Sequence, residues 1–444
     1  MKNLLSRKNF KIGFIIYVFT NTLALGYLGI SINPLSYFIL IWAIGIIIYD
    51  LYKRQIDFKN YQFLLLVSYG LILLLATIIN DFSSQKSYLM ALLQLVIFVL
   101  IYGNRKDFKL SNIKEELQVI IPLTNILVNL ACSISIIMYL TKFSDRNNGW
   151  PIGMVEDRLF GVFFNCNPAS FLAISVIILA LIAIKNNTKH RKLYIYNIVV
   201  LTTYIILTKC RSALIILAII IAALCYAYFI RSKNYSRLKR FLITSLICIS
   251  IFLSSILVTN QLSKIFNGKA QTSRFQIEQV IEAMNLFFNG NIDPALQLID
   301  RVSSGRIELL ATSYHIWQTS PVIGVGADNF QTIGIHLNSG SVVQQIQVVH
   351  SHNLFIETVV TTGIIGAAIF ILFLLSTIKT LLKLFNTNNF KHYLMIMLFT
   401  LIVVSEFIGS QFDYGVFYTY CLSATLAWLF LGYLQQIEKS VCIK

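Results

Sequence analysis

Charge is scarce in this chain: 12% of its 444 residues are Asp, Glu, Lys or Arg, while 57% are hydrophobic. With a mean hydropathy of +0.72, that balance excludes an ordinary soluble fold. The seven cysteines are scattered and show no paired spacing. They form neither a disulfide framework nor a metal-binding motif. No internal repeat at a fixed period and no low-complexity tract interrupts the chain, so a solenoid or a disordered array is excluded.

What is abundant is apolar sequence in runs of about 20 residues, the length that spans a bilayer. Twelve such runs are read at about 12–30, 35–51, 62–79, 88–102, 117–140, 168–184, 193–208, 212–230, 241–260, 353–378, 393–411 and 414–434. The expected fold is therefore all-α, a polytopic membrane protein with about twelve transmembrane helices and one large helical extracellular loop. The first run starts with charges and contains a passable cleavage site at Ala24-Leu25-Gly26, but its length favours an uncleaved span.

The charges test this topology. With the N-terminus (Lys2, Arg7, Lys8, Lys11) placed inside, 25 of the 36 Lys and Arg fall in cytoplasmic segments. That is the positive-inside bias, and it puts both termini in the cytoplasm. The formal net charge of +17 is then a topology signal. No basic stripe is left over for a nucleic-acid partner. By topology the chain divides into 1–260, with nine spans, the outer loop 261–352, and 353–444, with three spans and a tail.

The outer loop reads as helical. Ser273 and Gln276 fit a capping box, followed by Ile277, Val280, Ile281, Met284, Phe287 and Phe288 at helical spacing. Asp293-Pro294 signals the start of a second helix. A third helix, about 305–318, opens at Arg306 and closes at Pro321-Val-Ile-Gly324-Val-Gly326. It puts Ile307, Leu310, Ala311, Tyr314 and Trp317 on one side. Such helices either lie on the membrane surface or simply cover the spans.

His352 is expected at the start of the tenth span. The positive end of a helix disfavours imidazolium, and a neutral imidazole is what a general base requires. The alternative is that His350, Ser351, His352 and Asn353 only cap the span. Arg211, between the seventh and eighth spans, either grips a phosphate or snorkels to the headgroups. Arg306 and Arg158 also face outward. Glu357 and Glu406 are the acids nearest the interior of spans, with pairing or chemistry both open. The first outer loop has no DxD-like pair to hold a metal-bound diphosphate, and Glu156-Asp157 either holds a divalent ion or, as adjacent acids in an exposed loop usually are, is a solvated pair.

The arrangement His352-Asn353, nine residues, Gly363-x-x-Gly366 resembles the signature of the O-antigen ligase/polymerase superfamily of bacterial membrane glycosyltransferases. Arg306…Trp317…Pro321-x-x-Gly324-x-Gly326-x-x-x-Phe330 is similar to the run just upstream in that family. Thr208-Lys209-Cys210-Arg211-Ser212-Ala213 resembles its arginine-bearing turn, and Arg158-Leu-Phe-Gly161…Asn167 its earlier loop motif. The likeness is specific over about 306–366 and thinner over 158–213. One departure is Lys-Cys before Arg211, where the family often has a small residue and Ser.

The resemblance implies a GT-C-like, inverting, metal-independent transferase of the bacterial cytoplasmic membrane, using undecaprenyl-diphosphate-linked oligosaccharide at the outer face without a cofactor. It makes His352 the base, Arg211, Arg306 and Arg158 the diphosphate contacts, and Asn353, Gly363, Gly366, Glu357 and Asn167 supporting residues. Expected partners are the lipid-linked glycan, membrane lipids and a chain-length regulator. Polymerase is the expected role, with a ligase acting on a lipid, wall-polymer or protein acceptor as the alternative. A flippase for the same lipid or a membrane scaffold are readings of other classes. A flippase predicts mid-span charges and broken helices.

Overall fold

The computed structural model describes residues 5–231 apart from 32, 156, 187 and 188, parts of 239–261, 277–337 apart from 304, and 350–386, 390–412 and 421–442. The Ser273–Gln276 capping box and most of the 241–260 run lie outside the described residues.

The chain is mostly helical, as its apolar runs require. In order the helices are α1 (Arg7–Thr22), α2 (Asn33–Tyr52), α3 (Tyr61–Ile79), α4 (Gln85–Val96), α5 (Leu110–Leu140), α6 (Cys166–Lys185), α7 (Arg191–Thr208) and α8 (Arg211–Arg231). They continue with α9 (Ile277–Phe288), α10 (Ile292–Ser303), α11 (Arg306–Thr319), α12 (Phe330–His336), α13 (Leu354–Asn386), α14 (Phe390–Gly409) and α15 (Leu422–Cys442). Among the described residues, six helices are long and apolar enough to cross a membrane: Pro34–Tyr52, Tyr61–Ile79, Gln85–Tyr102, Leu110–Leu140, Cys166–Lys185 and Leu354–Phe385. Residues Ile97–Tyr102 continue α4 as a π-helical turn.

The fold departs from all-α in the segment between α5 and α6. Strands β1 (Ser144–Asn147), β2 (Trp150–Val155) and β3 (Arg158–Gly161) form an antiparallel sheet in the order β1-β2-β3. Asn147 pairs with Trp150, so Asn148-Gly149 is a two-residue hairpin turn, with φ of 50° and 79°. Two consecutive left-handed residues match the twist of the strands, and Asn-Gly is the pair that tolerates them best.

The helices pack as two units. One comprises Met1–Leu64, Val96–Leu262 and Leu375–Lys444; the other comprises Leu65–Leu95 and Ser263–Leu374. The first unit buries charge near the N-terminus of α1. Arg7 and Lys11 read in the sequence as solvated flanks of a span starting at 12, yet α1 begins at Arg7 and both are buried. The reason is that each finds a partner on another element. Arg7 Nε lies 2.6 Å from Asp50 of α2, and Arg105 Nη2 reaches the other Asp50 oxygen at 2.6 Å. Lys11 Nζ lies 2.9 Å from Glu116 of α5, over the rings of Phe108 and Tyr433. Buried ions persist in such a position only when paired and hydrogen-bonded.

The second unit has a small core of Leu309, Ile316, Val325, Phe330, Ile333 and Val360, with Trp317 and Ile356 packed against it. The side of α11 turned to this core is not the apolar side read in the sequence. Its buried side is Leu309, Thr312, Ser313 and Ile316, whereas Leu310 and Tyr314 are exposed. The helix carries apolar residues on both sides. Hydroxyls can enter the core because Ser313 Oγ donates to the Leu309 carbonyl of its own helix at 2.7 Å.

Candidate active site

In the second unit, Asp300 builds the start of α11. Its Oδ1 accepts the backbone N–H groups of Ile307 (2.9 Å) and Glu308 (3.1 Å), two of the donors a helix start leaves unsatisfied. Arg306 therefore stands at a fixed helix end with its side chain exposed. Its Nη1 lies 3.5 Å from the carbonyl oxygen of His352, bringing the two expected site residues together.

His352 lies just before α13. Asn353 is the helix cap: its Oδ1 accepts from Phe355 N at 3.0 Å and Ile356 N at 3.2 Å. Glu357, for which the sequence leaves pairing and chemistry both open, reaches back by its buried carboxylate. Its Oε2 accepts the Ser351 N–H at 2.7 Å. His350 is buried and His352 is half-buried.

The glycines do more than permit close packing. Gly363 has φ 62° and ψ −165°, which breaks α13 in two. The loop 321–326 inserts its backbone into the break. Val325 N and Gly326 N donate to the carbonyls of Val360 and Thr361 at 2.9 Å each. Ile364 N and Ile365 N donate to the carbonyls of Pro321 (3.0 Å) and Val322 (3.2 Å). Both broken ends are thus satisfied by protein, the condition for interrupting a helix of this kind. Gly366 follows in the second half of α13, close against the Thr362 side chain.

A support absent from the sequence reading comes from α3 and α4. Asn80 Nδ2 donates to the Val325 carbonyl at 2.9 Å, and Ala327 N donates to Thr77 Oγ1 at 3.0 Å. Asn329 Nδ2 donates to Ser83 Oγ at 2.8 Å and to the Val325 carbonyl at 2.7 Å, while Ser87 donates to Asn329 Oδ1 at 3.1 Å. Lys86 pairs with Asp328 at 2.9 Å. The polar cluster Asn80…Ser83-Ser84…Ser87 was the available signal, though nothing in it names its partner.

In the first unit, β3 presents Arg158. Its Nε donates to the Thr208 carbonyl at 3.0 Å, and its Nη2 to Asn167 Oδ1 at 2.5 Å. Ser170 and Thr208 hydroxyls lie 2.8 Å apart. Arg158 thereby ties the start of α6 to the end of α7. Arg211, the first residue of α8, is exposed. Between them Lys209 has φ 52°. Burial holds its ammonium below the usual lysine range; Asp157 pulls it up and Arg158 pushes it further down. Lys209, part of the departure from the family motif, is a third cation at this turn. Glu406 is buried in α14, and Glu156 lies outside the described residues.

Residues 196–371 match the family model described as O-Antigen ligase. The match supports a likeness of this region to the O-antigen ligase/polymerase superfamily. The O-antigen ligase match contains Arg211, Arg306, His352, Asn353, Glu357, Gly363 and Gly366, whereas Arg158 and Asn167 precede it. It supports a membrane glycosyltransferase of the ligase/polymerase type, in keeping with the long apolar helices. No curated protein matches the chain.

Proposed function

We propose that the protein is an inverting, metal-independent polymerase at the outer face of the bacterial cytoplasmic membrane, joining undecaprenyl-diphosphate-linked oligosaccharide units. His352 Nε2 or Nδ1 takes the proton of an acceptor sugar hydroxyl. That oxygen forms the new bond to the donor's anomeric carbon from the face opposite the leaving group. The bond from that carbon to the phosphate oxygen breaks, and undecaprenyl diphosphate departs with the electron pair. Arg306 balances the charge that develops on it, a strong use of a fixed cation in such a reaction, and the family resemblance makes Arg211 a further diphosphate contact. Arg158 and Asn167 act one step back, by holding the turn that carries Arg211. The activated lipid supplies the driving force, so no cofactor takes part. The polar outer segment 261–352 and the inward placement of both termini belong to the same reading.

The observation that carries it is the guanidinium of Arg306 beside the backbone of His352, with both residues inside the matched region. The description of the matched family favours a ligase as the second reading, differing only in the acceptor. A broken helix is also a transporter feature. Here the four backbone groups at the break bond to the 321–326 loop, which leaves none of those four for a transported ion.

The test is to incubate purified protein with the lipid-linked repeat unit extracted from cells lacking the gene, then resolve products by size. A ladder of multimers establishes the polymerase. Product only when a second acceptor is added establishes the ligase, and substrate moved across vesicles at unchanged mass overturns both.

A further inference from the structure

The turn that presents His352 is held in an unfavourable conformation. His352 has φ 53°, in the left-handed region, which costs a residue with a Cβ roughly 1–2 kcal/mol. Such residues persist where their surroundings over-determine them. Glu357 fixes the Ser351 N–H, Asn353 caps the following helix, and Ser351 Oγ donates to the Asn353 carbonyl at 3.1 Å. The N–H of His352 itself goes to His350, whose Nδ1 accepts it at 3.2 Å. The two rings lie 4.2 Å apart between centroids at 64°.

His350 stands outside the His-Asn-x9-Gly spacing, and the proposed reaction gives it no role. Its placement gives it one. A ring nitrogen that accepts a hydrogen bond carries no proton, so Nδ1 keeps its lone pair and the neutral ring is protonated on Nε2. His350 is 5% exposed, whereas His352 is half-buried. Among the described residues, charged groups set against this turn include Arg306, at the His352 carbonyl, and Glu357, at the Ser351 N–H.

We propose that His350 is a positioning residue: by accepting the His352 N–H it fixes the turn that aims the His352 imidazole at the acceptor hydroxyl. It exchanges no proton with substrate. This rests on the transferase reading above. Substitution separates the role from mere packing, because an asparagine oxygen falls near the place of Nδ1 and a glutamine oxygen near that of Nε2.

The experiment uses the full-length protein in proteoliposomes, with the lipid-linked repeat unit extracted from gene-deleted cells as substrate. His350→Asn should keep turnover within about threefold of the parent. His350→Ala and His350→Gln should lose about 100-fold in turnover at unchanged half-saturating substrate, the scale of a small misplacement of a reacting group. Hydrogen exchange of the His352 amide should accelerate with Ala and Gln but not with Asn. Parental turnover in His350→Ala overturns the proposal. Equal loss in all three variants, with slow exchange kept in His350→Asn, also overturns it and assigns chemistry to the ring. If the parent forms no product, the transferase reading fails, while the exchange rates still decide the role of His350 in the turn.

Discussion

Gly324 and Gly363 meet backbone to backbone, and each is in a conformation that the other's approach requires. A Cβ on Gly324 would strike the Thr361–Gly363 main chain, and a Cβ on Gly363 would strike the Val322 carbonyl. Both also have positive φ, 84° and 62°. Two glycines in separate motifs are therefore one device, which joins the loop after α11 to the broken helix.

Replacing Gly363 by Ala should consequently be more costly than an ordinary helix substitution, where Ala is the better residue. Overpacking and left-handed strain together should remove at least about 2 kcal/mol of stability. Thermal unfolding of the detergent-solubilised protein, followed by tryptophan fluorescence, measures it. Gly324→Ala should behave alike, and the double substitution should fall short of the sum, since both collisions push the same loop away from the same helix break. A Gly363→Ala protein as stable as the parent would show that the break is dispensable.

The hairpin of α3 and α4 is expected to stabilise the same loop. Asn80→Ala removes the donor to the Val325 carbonyl and should cost about 1–2 kcal/mol. Asn329→Ala removes a second donor to that oxygen and the link to Ser83. A double-mutant cycle should give a coupling on the order of 1 kcal/mol. Full additivity would mean that the two asparagines hold the loop independently.

These contacts mark where the sequence stops being legible. Helices stand at most of the read apolar runs, six of them among the described residues long and apolar enough to cross a membrane, and the cap at Asn353 and the limits of α11 follow from local patterns. The face of α11 does not follow, because Leu309 and Ile316 on one side are matched by Leu310 and Tyr314 on the other. Burial there is decided by Phe330 and Val360, which are distant in the chain. The hairpin is absent from the sequence reading, although Asn148-Gly149 suits one, because its flank Ser144–Asn147 is polar and exposed, without the alternation of a half-buried strand. At the candidate site, the spacing picks out His352 and Arg306 but not the His350 nitrogen or the Asn80 amide. Those depend on side-chain direction in the folded turn.

The buried ions of the first unit give a different kind of prediction. Asp50→Asn keeps the size of the side chain but leaves Arg7 and Arg105 facing each other without their carboxylate. Removing one partner of a buried pair should cost about 3–5 kcal/mol. Because Arg7 also donates to the Gly103 carbonyl at 2.6 Å, the loss should loosen the α1 contact first. Cysteine labelling at a position introduced on α1 would read this, alongside the unfolding midpoint. An unchanged midpoint would mean that water already solvates these groups.

His352→Ala tests the chemistry without such a cost, since the left-handed turn is held by backbone contacts that the imidazole does not make. Protein level and unfolding should stay near the parent, while polymer formation should fall about 100- to 10,000-fold, the usual worth of a general base. Arg306→Lys keeps a positive charge but loses the planar fork, and Arg306→Ala loses both. If Arg306 steadies a diphosphate leaving group, the order of activity should be Arg, then Lys, then Ala, with the larger effect on turnover. If Arg306 serves only to hold the His352 carbonyl, Lys and Ala should be equally impaired and exchange of the 350–353 amides should quicken in both. The two outcomes assign Arg306 either to the substrate or to the turn.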